Sequence, residues 1–349
     1  MAKVGMNHGA GGEAMQEFLD RHVFPHFPKM ESEVPLSSLD DSAVVDGIVF
    51  TTDGHTVKPL VFPGGDIGSL SVAGTVNDIA VMGAKPLALS CSLVIEAGLD
   101  IGLFESIMAS MGRTSKECGV PIATGDTKVV ERGGVDGLVV STAAVGRRSP
   151  YLDHNIAVAE EYRRFDSQWT SDDNVRPGDA IIVSGTLGDH GIALLSFREG
   201  YGFETVVESD VAPLNGMIEG ILKVGGVTAM KDPTRGGLAN TLNEWCGKSG
   251  VGMEIDGPSI PLNGAVVNAC EMLGLDPLSI GNEGKAVVAC VPDMAEEILK
   301  ALRSHPNGRN AAIIGRAVES DRPRVVMTTE VGGRRILEPP IGDPVPRIC

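Results

Sequence analysis

The stretch Leu39-Asp40-Asp41-Ser42-Ala43-Val44-Val45-Asp46-Gly47-Ile48-Val49-Phe50-Thr51-Thr52-Asp53 decides how the first half of this chain folds. Two β-prone apolar runs flank Asp46-Gly47, a dipeptide suited to the positive φ angles of a tight hairpin turn. The stretch therefore reads as two paired antiparallel strands. That pairing brings Asp40 and Asp41, before the first strand, close to Asp53, at the far end of the second. Gathered carboxylates repel one another unless a cation neutralises them. The pattern alone leaves two readings open, solvated acidic strand ends and a metal site.

Outward from the hairpin, residues 69–84 read as a helix of small and apolar residues. Val72, Val76, Ile79 and Ala80 share one side, and Asn77-Asp78 are polar interruptions. Lys85-Pro86 is expected to end it, and residues 87–95 follow as a buried strand. Asp100 is the expected cap of a second helix, with Ile101, Phe104, Ile107, Met108 and Met111 at helical spacing and Gly119 as the stop. A short strand then opens into Ala123-Thr124-Gly125-Asp126-Thr127-Lys128, and 137–146 is another strand. Acidic positions at Asp40/Asp41, Asp53, Asp78 and Asp126 thus lie on four separate elements, with Lys128 beside the last. Such hard oxygen ligands suit Mg²⁺, which takes few protein carboxylates and shares substrate phosphates.

The charged, proline-bounded region after Arg147 reads as an interdomain linker, set at 151–178. A strand at 179–184 opens the second half. Helices at 192–198, 213–224, 237–246, 264–273 and 293–303 alternate with strands at 251–255, 285–291 and 311–317. A β meander at 324–330 and 334–337 closes it. Two loops stand out. Met230-Lys231-Asp232-Pro233-Thr234-Arg235-Gly236-Gly237 sets a Lys and an Arg before a helix N-terminus, a natural anion seat. Gly281-Asn282-Glu283-Gly284-Lys285 presents a lone carboxylate in a glycine turn. Each loop taken alone also fits ordinary turn chemistry.

Composition narrows the function. At 349 residues, two domains are expected. A net charge of −17 and an aromatic content of 4% argue against a nucleic-acid partner. No run approaches the ~20 apolar residues of a membrane span, and the first 15 residues lack the apolar core of a secretory signal. The six cysteines, Cys91, Cys118, Cys246, Cys270, Cys290 and Cys349, form no C-x-x-C pair. Five read as small buried hydrophobes, and a reducing cytoplasm fits best. Gly9, Gly11 and Ala14 match a dinucleotide fingerprint in spacing, but no strand precedes them, so that reading is rejected. A glycine-rich arm offering backbone N–H groups to an anion and a plain flexible terminus both remain open. No Walker A motif is present.

The sequence ends in Pro339-Pro340-Ile341-Gly342-Asp343-Pro344-Val345-Pro346-Arg347-Ile348-Cys349. Its prolines exclude a helix or an inner strand. As a stiff extended tail at about 3.1 Å per residue, it reaches on the order of 30 Å.

Nine segments, in order, carry a resemblance: HGAGG (8–12), DDSA (40–43), TDG (52–54), GTVNDIAVMGA (74–84), GDTKVV (125–130), SGTLGDHG (184–191), DPTRGG (232–237), GNEGK (281–285) and PRIC (346–349). Over nearly the whole chain they resemble the carbamoyl dehydratase family of NiFe-hydrogenase maturation. The inner segments alone resemble the wider ATP-binding superfamily of aminoimidazole ribonucleotide synthase, selenophosphate synthetase and thiamine monophosphate kinase; the terminal cysteine motif narrows the match.

The resemblance implies an α+β, two-domain, aminoimidazole ribonucleotide synthase-like fold. It comprises a glycine-rich arm and helix (1–38), an ATP-binding domain that dimerises into a β-barrel (39–150), the linker, a C-terminal α+β domain (179–338) and a flexible cysteine-bearing tail (339–349). It implies ATP and Mg²⁺ as cofactors, with metal positions at Asp40 or Asp41, Asp53, Asp78 and Asp126. Nucleotide contacts are implied at His8, Gly9, Gly11, Gly12, Lys58, Asn77, Thr127 and Arg235. The implied reaction dehydrates a carbamoyl group on Cys349 to a thiocyanate. HypF is the implied donor partner, the HypC–HypD complex the acceptor, and a homodimer the working form in the cytoplasm. Lys128 and Glu283 are candidates for polarising or deprotonating the carbamoyl group. A kinase or synthase acting on a free small molecule would not need Cys349. A non-enzymatic thiol carrier would not need the carboxylates.

Overall fold

The computed structural model describes residues 3–200, 207–342, 344–345 and 347–349; Asp343 and Pro346 of the expected tail lie outside the described residues. The hairpin forms as expected. Ala43–Val45 pairs antiparallel with Ile48–His55, and Asp46 and Gly47 take φ angles of 52° and 70°, the left-handed pair of a tight primed turn. The hairpin edges a five-stranded sheet, continued by Leu138–Arg148, Ala84–Glu96 and Ile122–Val130. Its pairs are antiparallel except the last, where Ala84–Glu96 and Ile122–Val130 run parallel on either side of the helix Ile101–Cys118. Asp100 caps that helix through Leu103 N at 2.8 Å, and Gly119 ends it at φ 70°.

The helix expected over 69–84 runs Ile67–Val81, because Asp66 and Ser69 cap each other reciprocally. Small and apolar residues on every side let it be buried almost throughout, and Gly68 permits close contact with Ile101–Cys118. A Cβ there would lie 2.4 Å from the Ile107 carbonyl. Pro86 falls inside a strand, at a register shift between Pro86 and Ala88, where a missing N–H is tolerated. One face of this sheet packs on the Ile67–Val81 helix. The other leaves Ile48, Phe50 and Val145 exposed, and the edge strand Ile122–Val130 is exposed almost throughout.

The second half is built on a seven-stranded mixed sheet, with strand order Arg334–Leu337, Val325–Thr328, Gly252–Asp256, Ala312–Val318, Ala180–Val183, Val287–Cys290 and Val227–Lys231. The sequence reading places no strand between 224 and 237 and has loop from Met230 onward; Val227–Lys231 is a fully buried strand that delivers Lys231 and Asp232 at its end. Ile181 and Val183 face Trp245 and the helix Gly237–Ser249. Ile182 and Val288 face the opposite way, into a core shared with the first half. Among the described residues no helix is long and apolar enough to cross a membrane.

Residues 151–178 contain the helix Leu152–Tyr162 and several buried side chains, among them Trp169, Thr170, Asp172 and Asn174. Thr170 Oγ1 donates to the Val81 carbonyl at 2.7 Å, so the segment is tied to the first half. The two halves are also joined by Asn77, which is fully buried. Its amide nitrogen donates to the carbonyls of Ala212 (3.1 Å) and Glu283 (3.4 Å), and its oxygen accepts from Leu214 N at 2.8 Å. Replacing Asn77 with Ala strands buried backbone groups and should cost about 2 kcal/mol or more of unfolding free energy. Urea denaturation of the purified variant, with unchanged slope and a lower midpoint, checks this.

Candidate active site

The site forms where the hairpin, the end of the Ile67–Val81 helix and two loops of the second half converge. Thr51 fixes its first wall. Its hydroxyl lies 2.8 Å from Asp78 Oδ2 and 3.0 Å from the Asp41 carbonyl, and Ser42 Oγ donates to the Asp78 carbonyl at 2.8 Å. Thr75, one turn before Asp78, donates to Asp53 Oδ2 at 2.8 Å. The helix and the hairpin therefore hold Asp41, Asp53 and Asp78 together. Asp232, at the end of Val227–Lys231, and Glu283 close the cluster from the other half; both are buried.

The electrostatics follow from crowding. Burial, then the charges of Asp53, Asp232 and Asp41, push the Asp78 carboxyl well above its ordinary range. Asp232 rises for the same reasons, burial first and then Asp41. Burial with Asp232, Asp210 and Asp53 likewise raises Glu283, against the opposing pull of Arg235, and Glu283 Oε1 is buried without a hydrogen-bond partner. Asp40 and Asp41 part company here. Burial and Asp172 raise Asp40 to about 7, and it accepts from Asp172 N at 3.0 Å while facing Lys248 at 3.7 Å. Asp41 is raised by burial to about 6 and binds Lys231 at 2.8 Å. Of the pair, Asp41 is the one whose charge ranks among the main causes raising Asp78 and Asp232.

The other expected residues divide. Arg235 donates to the Gly9 carbonyl at 3.2 Å, which draws the glycine-rich arm to the site; His8 stacks on Phe18 at 4.9 Å. Burial disfavours the Arg235 charge, but negative charge at Cys349, Asp53, Glu283 and Asp78 outweighs it. Gly11 packs beside Arg235, and Gly12 beside the Pro340 carbonyl. Asn77 serves the contact between the halves. Lys58 pairs with Asp136 at 2.6 Å, on the surface. Asp126, Thr127 and Lys128 are not brought to the cluster within one chain: they stand exposed on the edge strand and make no side-chain hydrogen bond or ion pair among the described residues.

The tail is docked. Thr56 N donates to the Cys349 carbonyl (3.1 Å) and Lys58 N to that of Arg347 (3.2 Å). His190, fully buried, places Nε2 at 2.7 Å from the Ile348 carbonyl. Arg347 pairs with Asp136 at 2.8 Å, and Val345 and Ile348 are buried. Cys349 is thereby set against the hairpin, near Arg235. Burial raises the thiols of the other five cysteines, Cys246 to about 12 and Cys270 to about 11, so they are inert as nucleophiles.

Sequence reasoning missed Asp172, Lys231 as a carboxylate partner, His190 and Thr75. For His190 a signal existed, a lone histidine in a glycine-rich turn. The others show only in long-range contacts.

Family models match residues 39–148, as the N-terminal domain of AIR synthase related proteins, and residues 176–328, as their C-terminal domain. The carbamoyl dehydratase HypE of Rhizobium leguminosarum bv. viciae is 45% identical over 352 residues, covering 99% of this chain and 95% of its own. The chain belongs to the HypE family. A solved HypE in complex with ATP superimposes with a TM-score of 0.80 at 40% identity, covering 99% of this chain and 100% of that one. A HypE–HypF complex gives 0.82 at 40% identity over 94% and 100%.

Oxygen donors alone, several crowded enough to favour their neutral forms and one without a partner, suit a hard cation of the kind the HypE sequence pattern implies. No three acidic, His or Cys side chains among the described residues are grouped to hold a metal ion by themselves. Nucleotide phosphates would have to complete its coordination. Raised carboxyl groups contribute most to stability below their unfolded values, a contribution lost as pH rises through about 6 for Asp41 and about 7 for Asp40. The ligand-free protein should therefore melt higher near pH 6 than near pH 8. Asp78→Asn should raise its melting temperature at the higher pH by about 2 °C while weakening ATP binding. Calorimetry at both pH values, with and without ATP, checks both signs.

Proposed function

We propose that this protein is an ATP-dependent carbamoyl dehydratase acting on its own last residue. A carbamoyl group carried as a thiocarbamate on Cys349 loses its oxygen as phosphate and becomes a thiocyanate, and ATP becomes ADP. One observation carries this reading: the tail is docked with Cys349 against the hairpin, beside Arg235 and the carboxylate cluster.

The chain's own groups divide the work. Thr56, Lys58 and His190 fix the tail backbone, so the thiocarbamate is presented in one orientation. Its carbonyl oxygen attacks the γ-phosphate of ATP. Arg235 and the backbone of the glycine-rich arm face the phosphates. Carboxylates from the set Asp41, Asp53 and Asp78, completed by the nucleotide phosphates, would hold Mg²⁺, which when bound neutralises charge developing on the phosphate oxygens. Glu283, whose Oε1 is buried without a hydrogen-bond partner, takes a proton from the carbamoyl nitrogen in its carboxylate form. The second N–H proton is lost as phosphate departs, leaving S–C≡N.

Asp126, Thr127 and Lys128 enter this scheme through a second copy. The exposed apolar face around Ile48, Phe50 and Val145, next to the exposed edge strand, is the surface on which two chains would close. Those three residues of one copy then serve the site of the other, with Lys128 polarising the carbamoyl oxygen. HypF supplies the carbamoyl group and the HypC–HypD complex takes the cyanide, all in the cytoplasm.

Mass spectrometry of the last peptide, after incubation with HypF, carbamoyl phosphate and ATP, tests the reaction. A carbamoylated Cys349 that then loses one water is expected. An unmodified tail would favour a kinase or synthase acting on a free molecule. Cys349→Ala should abolish the product without shifting the melting temperature by more than about 2 °C. Lys128→Ala and Glu283→Ala should bind ATP yet stop at the carbamoylated tail. Phe50→Glu with Val145→Glu should give monomers by sedimentation and lose dehydration, because Lys128 no longer reaches a partner's site.

A further inference from the structure

Asp172 belongs to neither matched family domain; it sits in the turn Asp172–Asn174 between them. It is 2% exposed, and every polar group it owns is engaged. Oδ2 accepts from Lys248 Nζ at 2.6 Å and Lys231 Nζ at 3.0 Å, and Oδ1 accepts from Trp245 Nε1 at 2.7 Å. Its N–H donates to Asp40 Oδ1 and its carbonyl accepts from Ser249 Oγ at 2.8 Å. A carboxylate held on all sides in this way has one position. Lys231 has three acidic neighbours: Asp41 at 2.8 Å, Asp172 at 3.0 Å and Glu244 at 3.3 Å. Asp41 in turn faces Asp78 and Asp232.

We propose that Asp172 is a positioning residue of the ATP site: it holds Lys231 off full neutralisation of Asp41, and so sets how much negative charge Asp41 keeps for a cation. This deepens the proposed cation-dependent ATP site and rests on that reading. The physical reason is competition. One ammonium shared among three carboxylates neutralises each in part. Remove the charge of Asp172 and the same ammonium is shared by two, of which Glu244 is the more exposed. Asp41 then carries the larger share and has less to offer a second cation. Lys248 acts oppositely on the same balance, because it draws on the same Asp172 oxygen.

Isothermal titration of ATP into the full-length protein over a series of Mg²⁺ concentrations reads this directly, without turnover. Asp172→Asn should need about tenfold more Mg²⁺ for half-maximal ATP binding. The double variant Asp172→Asn with Lys231→Met removes the competing ammonium as well, and should recover most of that loss. A merely structural Asp172 predicts the reverse, a double variant at least as impaired as the single one. If Asp172→Asn fails to fold, Lys248→Gln decides with the opposite sign: Asp172 is left to Lys231 alone, and the Mg²⁺ requirement should fall. An unchanged Mg²⁺ requirement in folded Asp172→Asn, no recovery in the double variant, or a raised requirement in Lys248→Gln overturns the inference. Mg²⁺-independent ATP binding by the unsubstituted protein would instead overturn the reading beneath it.

Discussion

Five carboxylates crowd the junction of the two halves, and the arrangement of the surrounding elements follows from that excess of buried charge. Asp41, Asp53 and Asp78 come from the hairpin and its covering helix, and Asp232 and Glu283 from loops of the second half. Burial of like charges is unfavourable without counter-charge. The chain supplies part of it: Lys231 beside Asp41, Arg235 at the rim, and Lys248 holding Asp40 away from the cluster. What remains is a standing preference for a cation or a proton. An apolar replacement of these residues would make a more stable protein and a poorer binder of phosphates.

The folding of the first half serves that junction. A helix without a polar face can be buried on all sides, so Ile67–Val81 can lie between the sheet and the second half and deliver Thr75, Asn77 and Asp78 to three different partners. Asn77 ties Glu283 to this helix through backbone contacts, while Thr75 orients Asp53. Stability and site geometry therefore depend on the same turn of helix, and a substitution at either residue would move both.

Much of this was legible in local sequence. Asp46-Gly47 demanded its turn, Asp100 its helix start and Gly119 its stop, because each acts through backbone geometry within a few residues. Val227–Lys231 escaped notice because five buried residues show no alternation, and the Lys231-Asp232 pair reads as loop. The charge pattern located the acidic cluster but not its counter-ions. Lys231 and Asp172 lie 59 residues apart and meet only through the packing of the strand Val227–Lys231 on the segment between the domains. The segment 151–178 looked like a linker because it is charged and irregular; its buried Asp172 uses that charge internally.

The tail shows how weakly a carrier must be held. Among its described residues, Val345 and Ile348 bury their side chains, and three backbone carbonyls take bonds from Thr56, Lys58 and His190. Two buried aliphatic side chains are worth about 3–6 kcal/mol before the cost of ordering the segment, which the prolines reduce but do not remove. The ion pair of Arg347 with Asp136 is partly exposed and adds little. The balance is thus small, as a group that must reach both an ATP site and a partner protein requires. An anchor richer in leucine would hold Cys349 at the carboxylates and keep it from its donor. An anchor with neither Val345 nor Ile348 would leave the reacting group to find the site by diffusion of a tail on the order of 30 Å long.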